Sequence, residues 1–117
     1  MIQNGADPSF KDYNGFSVLH SAAQGGNTSI ISKLLSLGLD VDSRDNGGVT
    51  LLMTAAVNDK QNAFEILIQN GADPSFKDNN GFSVLHSAAQ GRNTCIINKL
   101  LQLGLWTLLL RFYKLIF

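Results

Sequence analysis

Apolar residues fall into two kinds of run, and the pair recurs along the chain. The first run is short: Val18-Leu19, then Ala22-Ala23, closed by Gly25-Gly26. The second is longer: Ile30, Ile31, Leu34, Leu35 and Leu37, closed by Gly38. Steps of three and four residues are those of one helix face. A short helix is predicted over 18–24, with Ser17 as its N-cap, and a second helix follows with Asn27 as its N-cap. The small side chains of Ala22 and Ala23 let another helix come close. The Gly25-Gly26 pair suits a tight turn between helices, because glycine accepts left-handed backbone. From Leu39 to Gly48 the chain is polar and turn-forming apart from Leu39 and Val41, and reads as an extended β-hairpin-like loop. The unit is therefore helix, turn, helix, long loop.

This unit repeats. GFSVLHSAAQG at 15–25 returns unchanged at 81–91, and a looser form, GVTLLMTAAVN, lies midway at 48–58. The period is 33 residues, the signature of a solenoid of stacked supersecondary units. Such an array has no central core and buries surface between neighbours instead. Residues 2–39 and 68–105 differ at only five of 38 positions: Tyr13/Asn79, Gly26/Arg92, Ser29/Cys95, Ser32/Asn98 and Ser36/Gln102. A two-unit block has been duplicated, so the first and third units should present nearly the same surface. Ile2 aligns with Ile68, so the chain starts within a unit, near the end of a helix.

The repeated motif resembles the ankyrin repeat family. The family pattern, roughly D-x-x-G-x-T-P-L-H-x-A-A-x-x-G-H, an apolar helix, then L-L-x-x-G-A-D-V-N, is matched across residues 2–105. In the first unit Asp12, Gly15, Ser17, Leu19, His20, Ala22, Ala23, Gly26, Leu34, Leu35, Gly38, Asp40 and Val41 fall on it. The resemblance implies an all-α ankyrin solenoid divided into a partial leading repeat (1–11), repeats at 12–44, 45–77 and 78–105, the last incomplete, and a divergent tail (106–117). It departs from the family where Val18, Leu51 and Val84 replace the usual proline and where Met53 replaces the usual histidine. It departs again where Asp59 and Arg92 stand at the inter-helix glycine; a positive φ at Arg92 would cost about 1 kcal/mol relative to glycine.

In ankyrin-like arrays partners are held by hairpin tips and the inner face of the short helices. That implies a protein partner bound through Tyr13, Asn14 and Phe16, through Asn46 and Val49, and through Asn79, Asn80 and Phe82 at the tips. On the short-helix ends it implies Gln24, Val57 and Gln90. Phe16 and Phe82 carry most of the expectation, because aromatic residues beside polar groups make interface hot spots. Their alternative role is packing against neighbouring hairpins, as for Phe10 and Phe76.

Composition narrows the chemistry. Nine basic and nine acidic residues cancel, leaving no strong field to steer nucleic acid. Lys11, Arg44 and Lys77 recur once per unit beside aspartates and read as a mixed, solvated face. The single Cys95 excludes an internal disulfide framework. His20 and His86 stand two units apart, roughly 20 Å at about one helix diameter per unit, and could not share a metal; the resemblance implies that this histidine ties its helix to neighbouring backbone. Asp12, Asp45 and Asp78 are likewise too far apart for paired-carboxylate catalysis, and Asp40 with Asp42 reads as a solvated turn before a weak calcium site. No nucleophile elbow or phosphate loop occurs. The expectation is a non-catalytic interaction scaffold with no cofactor and no metal.

The segment Trp106–Phe117 leaves the pattern. It is nearly all apolar, broken by Thr107, Arg111 and Lys114, and too short for the ~20 apolar residues of a membrane span. Three readings stand: a helix folded back over the third unit, a contact with the membrane interface, or a continuation without function. The second makes the chain the cytosolic ankyrin region of a membrane-associated protein. The N-terminus lacks the basic and apolar regions of a signal peptide, so the chain reads as intracellular and cytoplasmic. Polar capping repeats are absent, which points to a piece of a longer array and leaves self-association through its ends open.

Overall fold

The computed structural model describes residues 10–103; residues 1–9 and 104–117, and with them the leading fragment and the tail, lie outside the described residues. The described chain forms six helices, two per unit: α1 (Val18–Gly25) and α2 (Thr28–Ser36), α3 (Leu51–Val57) and α4 (Gln61–Gln69), α5 (Val84–Gln90) and α6 (Thr94–Gln102). The short helices α1, α3 and α5 stack in one layer. The longer α2, α4 and α6 stack behind them, each packed on its own short partner. Between units the chain makes hairpin-like loops pinned by single bridges at Lys11–Ser17, Arg44–Thr50 and Lys77–Ser83.

The caps explain where the helices begin. Ser17, Thr50 and Ser83 stand in extended conformation before the short helices. Ser17 Oγ accepts the His20 N–H at 3.2 Å, and Thr50 Oγ1 accepts the Met53 N–H at 3.2 Å. Asn27 and Asn93 cap the long helices by accepting from Ile30 N and Ile96 N. Lys60 holds the same place before α4 and offers no side-chain acceptor.

Because three units share one register, burial shows which neighbour each position faces. Ala22, Ala55 and Ala88 are buried in every unit, as are Leu34, Leu67 and Leu100; these sides face the unit's own partner helix. Val18 and Ile30 are 39 % and 44 % exposed, whereas their counterparts Leu51, Val84, Ala63 and Ile96 are buried. Those positions face the preceding unit. Leu19, Ala23 and Ile31, with their second-unit counterparts Leu52, Ala56 and Phe64, are at most 1 % exposed and face the following one. Burying one such Leu, Ile or Phe side chain contributes about 1.5–3 kcal/mol, so each unit draws much of its stability from its neighbours. The five differences between the duplicated blocks avoid these positions: nine of the ten residues are exposed, and Gly26 is half-buried.

The loops are held more firmly than a run of turn residues suggests. In every unit an aspartate takes two backbone N–H groups: Asp12 from Asn14 and Phe16, Asp45 from Gly47 and Val49, Asp78 from Asn80 and Phe82, at 2.8–2.9 Å. Adjacent loops are also tied together. Asn46 donates its N–H to Asn14 O at 2.9 Å and its amide to Tyr13 O at 3.1 Å. Asn79 does the same toward Gly47 O at 2.8 Å and Asn46 O at 2.9 Å. Gly15, at φ 76°, leaves no room for a Cβ beside Asn46 N, so a side chain there would push the two loops apart. Lys11, Arg44 and Lys77 are exposed, the solvated face expected of them, and the first two also reach the next loop. Lys11 Nζ donates to Arg44 O, Arg44 donates to Lys77 O at 3.1 Å, and the Arg44 guanidinium lies 5.2 Å from the centre of the Phe76 ring.

Asp40 and Asp42 also serve the loops. Asp40 accepts the Asp42 N–H, and Asp42 accepts the Asp73 N–H of the next loop at 2.8 Å. Among the described residues no three His, Cys, Asp or Glu side chains converge as a metal site. No helix among them is long and apolar enough to cross a membrane.

Two positions in this frame carry a correctable cost. Arg92 and Asp59 occupy left-handed backbone at φ 56° and 58°, where the first unit has Gly26 at φ 71°. Arg92→Gly should remove about 1 kcal/mol of strain, partly offset by the greater freedom of glycine in the unfolded chain, and raise the thermal midpoint by about 2–4 °C. Lys60→Asn should supply the missing cap of α4 and add about 1 kcal/mol. Thermal denaturation followed by far-UV circular dichroism checks both; an unchanged or lower midpoint refutes either assignment.

Candidate binding groove

The side of the short helices that faces the loops is concave. Across all three units it forms a groove of about 280 Å³. Phe16, Val49 and Phe82, one from each loop, line one wall; Gln24, Val57 and Gln90, one from each short-helix end, line the other. The period alone sets this arrangement, since each trio steps by 33 residues and each unit is stacked on the last. Met53, 2 % exposed, lies at the floor. Thr54, Asn58, Asp78, His86 and Ser87 complete the lining.

Six of the eleven residues expected to contact a partner thus meet in one groove: Phe16, Gln24, Val49, Val57, Phe82 and Gln90. The other five, Tyr13, Asn14, Asn46, Asn79 and Asn80, lie on the loops outside the lining. Tyr13 is 97 % exposed. Asn46 and Asn79 are exposed too, yet their amide groups already join neighbouring loops. The sequence reading passed over Met53, Thr54, His86 and Ser87. A signal for them was present: they precede Val57 or Gln90 by three or four residues, which puts them on the same helix face.

The aromatic wall is set by histidine. Phe16 lies against His20 with ring centroids 5.0 Å apart, and Phe82 stacks on His86 at 5.3 Å and 25°. Phe16 is half-buried and Phe82 is 53 % exposed. His20 is fully buried. Its Nδ1 accepts from Ser17 N at 3.3 Å and meets Ser17 Oγ at 2.8 Å, while its Nε2 donates to Val49 O of the next unit at 3.0 Å. These partners require the neutral ring protonated at Nε2. Met53 takes the same place in the second unit, its sulfur accepting the Thr50 N–H at 3.5 Å. His86 repeats the Ser83 contact, with Nδ1 accepting from Ser83 N at 3.0 Å.

The Ser–His contacts belong to helix capping. Ser17 Oγ already accepts the His20 N–H, and the histidine Nδ1 is occupied by a backbone N–H. Asp78, the one carboxylate in the groove lining, accepts from Asn80 N and Phe82 N. The remaining polar groups of the lining are amides, hydroxyls and an imidazole. The surface suits neutral hydrogen bonding beside an apolar contact. Cys95 is exposed on α6, away from the groove.

Burial holds the His20 pKa below its ordinary value, against the opposing pull of the Val49 carbonyl and the Asp45 carboxylate. The native state therefore keeps His20 neutral at pH values where the unfolded chain, with a histidine pKa of about 6.5, takes up a proton. Its contribution is fully present above about pH 6.5 and is lost as pH falls from there toward the lower folded value. The thermal midpoint should drop between about pH 7 and pH 5. His20→Met, which copies the second unit, should flatten that part of the profile; an equally steep profile would show that His20 is not its source.

Residues 1–78 match the family model described as ankyrin repeats (3 copies). A comparison with curated proteins finds no match.

Proposed function

The chain belongs to the ankyrin repeat family, and from that premise we propose that it is an adaptor holding a protein partner across the groove between loops and short helices. Repeats of this family are generally protein–protein interaction modules; the assignment of this groove as the contact surface is our reading. The observation that carries it is the half-open aromatic and aliphatic wall of Phe16, Val49 and Phe82, faced by Gln24, Val57 and Gln90 in one groove. Aromatic side chains on a rigid support lose little conformational freedom on binding, and interface energy concentrates in such anchors. The loop ties between Asn14, Asn46, Gly47 and Asn79 supply the rigidity.

The occupant that fits is a neutral, extended peptide segment or loop carrying apolar side chains. The groove offers it amide and hydroxyl partners, and its carboxylate is already hydrogen-bonded to backbone. Tyr13, Asn14 and Asn80 would form the outer rim, while Asn46 and Asn79 support the loops and add contact only through what their inter-loop bonds leave free.

The test is a partner selected from a peptide library against the whole chain, followed by calorimetry with the Phe16→Ala/Phe82→Ala double variant. Removal of two anchors should cost about 2–4 kcal/mol of binding, roughly 30- to 1,000-fold in Kd, with the circular dichroism spectrum unchanged. Unaltered affinity in a folded double variant would mean that the partner uses another face.

A further inference from the structure

The groove repeats along its length. Phe16, Val49 and Phe82 stand at one position of three successive units, and so do Gln24, Val57 and Gln90. Both walls therefore step with the stack, and the groove runs along the stacking direction. Packed helices lie about 8–10 Å apart, which sets the spacing from one wall residue to the next. The steps are not all alike. The duplicated block puts a phenylalanine and a glutamine at the first and third steps, and Val49 and Val57 at the middle one, above Met53. Along the groove the lining is aromatic with amide, then aliphatic, then aromatic with amide again.

A chain bound along such a groove presents one side chain per step to the loop wall. A β-strand places same-face residues about 6.6–6.8 Å apart and falls out of register at the first step. A polyproline II helix has three residues per turn and rises about 3.1 Å per residue, so every third residue returns to one face after roughly 9.3 Å. That distance lies inside the range for stacked helices. An α-helix returns to one face after seven residues, about 10.5 Å, but it uses its carbonyls internally. A polyproline II chain has no internal hydrogen bonds and leaves them free. Gln24 and Gln90 are exposed, and their carboxamides can donate to two such carbonyls, two turns apart. Charge agrees with this occupant. Among the described residues of the lining there is no lysine or arginine, and the Asp78 carboxylate already holds Asn80 N and Phe82 N. A charged segment would leave water without gaining a counter-ion, whereas a proline-rich one carries no charge.

We propose that the partner segment is a neutral, proline-rich polyproline II stretch with apolar side chains at i, i+3 and i+6. The outer two meet Phe16 and Phe82, and the middle one enters between Val49 and Val57. Proline-rich chains hold this conformation when free, so little ordering remains to oppose binding. The proposal rests on the groove being the partner's contact surface, and adds the conformation and spacing of what it holds.

The experiment uses the whole chain and two fluorescently labelled peptides of one composition. In PLPPLPPLPP the leucines stand at every third position; in PPPLLLPPPP they are adjacent. Fluorescence anisotropy should give the first a Kd at least about tenfold lower than the second. Phe16→Ala/Phe82→Ala should remove that advantage while circular dichroism reports the repeats intact. Gln24→Ala/Gln90→Ala, at exposed positions, should weaken the first peptide about fivefold or more and serves if the phenylalanine variant unfolds. Equal affinities for the two peptides overturn the proposal, as does an absence of binding by the first at about 1 mM. Tighter binding of an alanine-based helical peptide with leucine at every seventh residue overturns it as well. A partner selected from a library separates this proposal from the reading beneath it. One that loses affinity in the Phe16→Ala/Phe82→Ala variant but lacks the three-residue spacing keeps the groove and overturns the spacing. One indifferent to that variant overturns both.

Discussion

Every unit has two apolar sides and can bury neither alone. Helices of seven to nine residues are shorter than the ~12–15 residues that make an isolated helix even marginal in water. The packing of Leu19, Ala23 and Ile31 beneath the second unit, and of Leu52, Ala56 and Phe64 beneath the third, is what makes them persist. Stability is consequently a nearest-neighbour property. A substitution at a facing position weakens one interface directly and the rest of the array only through the loss of that layer. The inter-helix turns are less critical: the second and third units tolerate Asp59 and Arg92 in left-handed backbone because the helices on both sides are held by their neighbours.

The loops carry the same dependence outward to the groove. An aspartate in each loop fixes the turn from inside, and Asn46 and Asn79 fix each loop to the one before it. The groove wall of Phe16, Val49 and Phe82 inherits its spacing from those bonds, not from contacts within the wall. Histidine joins the two systems. His20 links its own cap residue, Ser17, to the carbonyl of Val49 in the next loop, so the seating of a short helix and the position of the next wall residue are one constraint. Where Met53 replaces histidine the sulfur retains the cap contact. A thioether has no N–H, so it supplies no donor to a following loop.

Much of this was legible in the chain. The 33-residue period, the two helices per unit, the Ser and Asn caps and the turn-forming loops all follow from local chemistry, and local chemistry is what a sequence states openly. The positive φ at Arg92 was legible for the same reason: its counterpart is Gly26. What was not legible depends on partners 31–33 residues away. Asn46 and Asn79 looked like free tip residues because nothing local shows that their amides join another loop. Lys11 and Arg44 are exposed as expected, but the acceptors they reach, the carbonyls of Arg44 and Lys77, lie one period further on. The groove floor was missed at Met53 because a buried thioether and a binding residue look alike in sequence.

The duplicated block separates what a residue is from where it sits. His20 and His86 share their neighbours in sequence, and both accept a backbone N–H at Nδ1 from the serine three residues before. His20 is nonetheless sealed beneath the second unit with Nε2 donating to Val49, whereas His86 is exposed and lines the groove. The same capping geometry serves burial in one unit and surface in the other, because the capping contact is local and the burial is not. A histidine read from this motif alone therefore fixes its own tautomer and the start of its helix. Whether it is sealed or exposed is decided by the layer stacked upon it.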